Sequence, residues 1–136
     1  MQLHRARKKF EDAGVSLVLI GQGTPRQAAR FRDQWEIELP VLVDRKRESY
    51  RAAGAKVATM GELLGPRSFS RGAAKTLASG GRIRQGRVIG HPAQLGGSLV
   101  IDPEGKVTWS HMSEDASDNA PPEEILEAAR KAKASA

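Results

Sequence analysis

The apolar run VSLVLIG, residues 15–21, passes within three residues into TPRQAARF, and this junction constrains the fold more than any other stretch of the chain. Thr24 and Gln27 have the spacing of a capping box, and Pro25 stands at the favoured first helical position, so a strand must give way there to a helix. Ala28, Phe31 and Trp35 form that helix's apolar face. A second β-branched run, LPVLVD (39–44), follows, and Asp44 is placed to cap a third helix, RKRESYRAAG (45–54), that stops at Gly54. Strand, helix, strand, helix is the pattern of a parallel sheet, because parallel neighbours need a long crossover between them.

The flanks extend this pattern. MQLHRARKKFEDAG (1–14) places Leu3, Ala6, Phe10 and Ala13 on one helical face and ends at Gly14, while no Ser, Thr, Asp or Asn stands ahead of Leu3 to cap its start. Near the other end, SLVIDPEGKVTWSH (98–111) sets Asp102-Pro103-Glu104-Gly105 between two strand-like runs, which predicts a hairpin. PPEEILEAARKAKA (121–134) predicts a closing helix with acids at its positive end and bases at its negative end. Between these halves, residues 56–97 hold nine of the fourteen glycines and seven Lys or Arg against one acid, Glu62. They read as a long basic Gly-rich insertion within a single domain spanning 1–136, helical in part around Phe69 to Leu77, and serving either as a solvated connection or as a loop that closes over a site.

Composition removes several function classes. The formal charge of +6 and pI near 10.1 permit contact with polyanions, but the six aromatics do not interleave with the bases, so no specific nucleic-acid recognition is expected. Weak, salt-sensitive polyanion binding is expected from Lys56, Arg67, Arg71, Lys75, Arg82, Arg84 and Arg87. No run is long enough to span a bilayer and no signal-peptide core is present, so a cytoplasmic chain without membrane contact is expected. There is no cysteine, and His4, His91 and His111 lack acids at ligand spacing, so neither a metal nor a cofactor is expected; His111, alternating with Trp109 and Val107, reads as a structural histidine. Gly21, Gly23 and Asp44 imitate a dinucleotide-binding unit, but Arg26 holds the position of the third glycine, which leaves a small nucleotide-binding protein as the weakest alternative.

The strings VSLVLIGQGTPRQAARF, LPVLVDRKRESYRAAG, QLGGSLVIDPEGKVTWSH and SDNAPPEEIL, in this order, resemble the peroxiredoxin-like proteins of the alkyl hydroperoxide reductase/thiol-specific antioxidant (AhpC/TSA) superfamily, nearest the branch that includes the prostamide/prostaglandin F synthases. The resemblance runs through nearly the whole chain. It implies a thioredoxin-like α/β fold, a mixed sheet flanked by helices, here lacking the N-terminal strands. It also implies a thiol oxidoreductase or antioxidant function, with a dithiol reductant as partner and a small peroxide or lipid as substrate. In such proteins the redox cysteine sits at the N-terminus of the helix that here begins at Met1, where the helix dipole favours thiolate over thiol.

With no cysteine, no catalytic residue carries over, so the chain alone is expected to be inactive, as a truncated form whose redox Cys lies upstream of Met1. The alternative is a Cys-less, non-catalytic binding module of the same fold. The residues expected to approach the site are Pro92, Gln94, Gly96 and Gly97, in the loop entering the hairpin, although the two glycines could equally serve only a tight reversal. The resemblance further implies a sheet order in which VSLVLIG and SLVID flank an absent central strand. Either Val15–Ile20 and Ser98–Ile101 then pair directly, or the chain self-associates through those edges.

Overall fold

The computed structural model describes residues 2–57, 93–115 and 117–135. Eight elements follow in order: α1 (Gln2–Asp12), β1 (Leu19–Gly21), α2 (Pro25–Trp35), β2 (Val41–Val43), α3 (Glu48–Ala52), β3 (Gly97–Ile101), β4 (Val107–Met112) and α4 (Pro122–Ala134). β1 pairs with β2 in parallel and β3 with β4 antiparallel, as two separate two-stranded sheets. The class is therefore α/β, as expected, but the strands do not join into one sheet.

Local chemistry explains most of the boundaries. The Thr24 hydroxyl accepts from the Gln27 N–H at 3.3 Å while the Gln27 side chain accepts from the Thr24 N–H at 2.8 Å, so the capping box forms in full. Gly14, Gly54 and Gly105 take positive φ values of 69°, 75° and 87°, ending two helices and turning the hairpin. In that hairpin the Asp102 carboxylate accepts from the Glu104 and Lys106 N–H groups, and the pairing shifts by a bulge between Val100 and Ile101.

Three expectations need correction. The run 15–21 is a paired strand only from Leu19, because β2 offers just Val41–Val43 opposite it and, among the described residues, no strand lies beside residues 15–18. α3 begins at Glu48 rather than directly after Asp44: Arg47, at φ 57°, is its N-cap, and Asp44 reaches forward so that its carboxylate accepts from the Ser49 N–H at 2.8 Å and hydroxyl at 2.6 Å. Direct pairing of Val15–Ile20 with Ser98–Ile101 does not occur, since β1 and β3 belong to different sheets.

The main buried cluster lies between α1, α4 and the β3–β4 sheet, while Ile37, Leu39 and Leu95 are buried apart from it. Phe10, Val100, Ala120, Ile125, Leu126 and Ala129 are buried together, with Leu3, Ala6, Ala13, Val15, Leu17 and Trp109 packed around them, so α1 and α4 cover one face of the β3–β4 sheet. This is the face predicted for α1. Lys133 ties the ends of the two helices by donating to the Ala13 carbonyl at 3.3 Å, and Lys9 pairs with Glu123 at 3.1 Å. α2 packs on β2 but buries none of its residues, and Trp35 stays 36% exposed, so the expected apolar face is only partly used. The basic insertion leaves at Val57 and returns at Gln94, whose backbones form an isolated antiparallel bridge. The helix expected at Phe69–Leu77, His91, Pro92 and all the insertion's bases except Lys56 lie outside the described residues.

Candidate functional site

Between the two sheets runs a cleft of about 1010 Å³, walled by β1 on one side and β3 on the other and floored by Phe10, Ile125 and Ala129 of the core helices. Its chemistry follows from strand geometry. Leu19 donates to Pro40 and Asp44 to Gly21, so Leu19 and Gly21 spend their backbone groups on β2, and the two-residue alternation turns those of Ile20 toward the cleft. On the other wall Ser113 donates to the Gly96 carbonyl, which directs the backbone of Gly97 and Leu99 away from β4 by the same alternation. Val18, Ile20, Leu99 and Ile101 are 51%, 47%, 39% and 58% exposed. Single exposed aliphatics are ordinary, but these four, on or next to β1 and β3, give the cleft an apolar lining.

One hydroxyl modifies this edge. Tyr50 of α3 donates to the Ile20 carbonyl at 2.8 Å, taking an acceptor that a neighbouring strand would otherwise use. Burial, and next the charge of Asp44, push the Tyr50 phenol above its ordinary range, which keeps it a donor. The Asp44 carboxyl is held below the usual carboxylate range chiefly by the Ser49 hydroxyl. No sequence signal announces the Tyr50 contact, which spans thirty positions.

The four residues expected at the site separate. Pro92 lies outside the described residues. Gln94 is a clip: its amide donates to the carbonyls of Lys56 at 3.1 Å and Leu95 at 3.0 Å, and its oxygen accepts from Arg47 at 3.3 Å. Gly96 and Gly97 do line the cleft. Neither has a positive φ, so a tight reversal is not what they provide. A Cβ on Gly97 would lie 2.6 Å from Met112 Sδ and 2.7 Å from the His111 carbonyl, so the lack of a side chain is what lets the Met112 thioether lie flat on β3. At Gly96 nothing lies within 4 Å of that position.

His111 takes the structural part expected of it. Its Nε2 is 3.0 Å from Asp118, whose second oxygen accepts from the Glu114 N–H, and its ring stacks on Trp109 with centroids 6.4 Å apart. The partner was not legible in the sequence, because an acid seven residues away fits no ligand or helix spacing. Among the described residues no group of three His, Asp or Glu is placed to hold a metal ion, and no helix is long and apolar enough to cross a membrane. The dinucleotide reading gains no support from α2, whose first turn is closed by its own capping box.

These elements, in this order and with this open cleft, agree with a comparison across known families. A model described as AhpC/TSA antioxidant enzyme matches residues 2–115. The chain belongs to the AhpC/TSA family. Peroxiredoxin-like 2C of Homo sapiens is 27% identical over 129 residues, covering 89% of this chain and 56% of the relative, and that of Bos taurus is 27% identical over 134 residues, covering 92% and 58%. The protein of the same name in Mus musculus is 27% identical over 126 residues. The chain thus spans about half the length of the curated relatives it matches and is a peroxiredoxin-like protein with the thioredoxin-like fold that AhpC/TSA membership implies. These 136 residues contain no cysteine, so no thiol lies within them.

Proposed function

We propose that the chain is the larger part of a peroxiredoxin-like thiol oxidoreductase whose redox cysteine and adjoining strand come from a segment preceding Met1. The observation that carries this reading is the cleft: two facing strand edges, apolar walls, and the start of α1 connected to the same place through Leu3. A strand that fills the cleft and runs into α1 would form a strand–helix–strand unit with β1. Joined to β1 through the helix α1, that strand would run parallel to it, and the crossover would be right-handed. Its last residue would then stand at the N-terminus of α1, where unsatisfied N–H groups favour thiolate.

The chemistry available there is two-electron peroxide reduction. The thiolate sulfur attacks one peroxide oxygen, the O–O bond breaks, and the departing alkoxide or hydroxide takes a proton from water, leaving sulfenic acid for a dithiol to reduce. Gly96 and Gly97 would border that sulfur on the β3 side. A small or apolar peroxide as substrate, a dithiol as reductant and a cytoplasmic setting belong to this reading.

A second reading is favoured by the absence of cysteine: a non-catalytic module that uses the cleft to bind an extended apolar segment of a partner. Peroxide consumption with a dithiol reductant separates the two. The chain as it stands is expected to show no turnover, and a form extended N-terminally through the coding sequence upstream is expected to show turnover lost on changing its new cysteine to serine. An extended form without cysteine, binding apolar peptides but inert to peroxide, would favour the second reading.

A further inference from the structure

Met112 closes β4 and is the one methionine among the described residues, and its thioether is held in an unusual position. It lines the cleft, it is only partly buried, and its sulfur rests on the bare backbone of Gly97, so close that even a Cβ there would be 2.6 Å from it. Gly97 and Met112 are the first register pair of the β3–β4 sheet, and the next bond outward, from the Ser113 N–H to the Gly96 carbonyl at 3.0 Å, depends on the same alignment. A partly buried methionine that lines the cleft while packing on a sheet end stands where an oxidant in the cleft would meet it and where a change in its shape would be felt by the fold.

We infer that Met112 is a reversible oxidation site at which a hydroperoxide that enters the cleft is reduced once and the end of the β3–β4 sheet loosens. A sulfur lone pair attacks a peroxide oxygen and the O–O bond breaks. The departing alkoxide or hydroxide takes up, directly or through water, the proton of the hydroxyl left on sulfur. The thioether becomes a sulfoxide and the peroxide an alcohol or water, a two-electron exchange that needs no other reactant. The sulfoxide is polar and carries one more oxygen. It cannot keep the flat contact with Gly97, so the Gly96–Gly97 wall moves outward. The inference is independent of the thiol reading, because the thioether reacts stoichiometrically where a thiolate would turn over.

The test uses the whole chain treated with hydrogen peroxide and, separately, with cumene hydroperoxide, followed by tryptic mapping. Met1, Met60 and Met112 fall on different tryptic peptides, and fragment masses distinguish Met112 from Trp109. Met112 is expected to oxidise in the native chain nearly as fast as in the urea-unfolded chain. The oxidised chain should melt lower by about 4 °C, the shift that about 1 kcal/mol makes in a domain of this size. Methionine sulfoxide reductase should restore the original Tm, and Met112→Leu should keep its Tm through the same treatment. A Met112 still reduced when Met60 is fully oxidised would overturn the inference, as would an equal fall in Tm in oxidised Met112→Leu. If that variant does not fold, the native-to-unfolded rate ratio in the unaltered chain decides alone.

Discussion

The two halves of the molecule differ in what their helices bury. Around β3 and β4, the helices α1 and α4 bring Phe10, Val100, Ile125, Leu126 and Ala129 into one buried cluster. Around β1 and β2, α2 and α3 bury no residue of their own; Ile37 and Leu39, between α2 and β2, are buried, while Val18, Ile20 and Leu42 stay about half exposed. The sequence is no less apolar in the second half; VSLVLIG is its longest apolar run. What differs among the described residues is the packing partners: β3 has α4 on its face, whereas β1 has the three-residue β2 beside it and a cleft on the other edge. Burial here reflects what is available to cover a strand, and exposed aliphatics of both β1 and β3 line the cleft.

Activity gives the largest expected contrast. The chain should show no catalytic peroxide turnover with a dithiol reductant, and supplying the preceding segment should confer turnover, as measured by peroxide disappearance beyond one equivalent per chain. Turnover by the unextended chain would break the assignment of chemistry to a thiol outside it.

Truncation of one aromatic in each half sharpens the comparison in stability. Phe10→Ala removes the most deeply buried large side chain and is expected to cost about 3–5 kcal/mol. Phe31→Ala removes a partly exposed ring at the cleft and should cost well under half of that. Urea unfolding of both variants measures the difference, and equal losses would show that the β1–β2 half is as well packed as the other. Gly97→Ala comes next, at about 1–3 kcal/mol, because the new methyl group must displace the His111 carbonyl and not only the flexible Met112 side chain.

Two smaller effects test the β1–β2 half alone. Thr24→Ala is expected to cost about 1 kcal/mol through loss of the capping box. Asp44 gives the smallest, through pH: its carboxyl is held low in the folded state by the Ser49 hydroxyl, so its contribution is present above the ordinary carboxylate range and fades as pH falls through the lowered folded value. Asp44→Asn should flatten the acid limb of the stability curve below about pH 4, and an unchanged limb would show that the Ser49 bonds do not contribute.

How much of this was legible in the sequence depends on how local each cause is. The capping box at Thr24, the left-handed glycines 14, 54 and 105, the hairpin at Asp102 and the apolar face of α1 are set by neighbours a few residues apart, and all are present. Features set by distant contacts were misread or missed. The start of α3 moved because Asp44 reaches past Arg47 to Ser49, and Gln94 became a clip because the chain at Lys56 returns beside it. Gly97 could be suspected from the sequence, but the reason for it, Met112 across the register, needs the pairing of β3 with β4. Order along the chain, by contrast, carried the family resemblance without any contact being known.

The most direct measurement of the central claim is amide hydrogen exchange at the cleft edges, at a concentration where sedimentation shows a monomer. Ile20 and Leu99 direct their N–H groups into the cleft, while Leu19 is bonded to Pro40. In the chain alone, Ile20 and Leu99 should exchange fast and Leu19 slowly. With the preceding segment attached, all three should be protected. Ile20 and Leu99 protected in the monomeric chain alone, to the same degree as Leu19, would contradict an open cleft between the sheets and with it the proposed place for the strand and its cysteine.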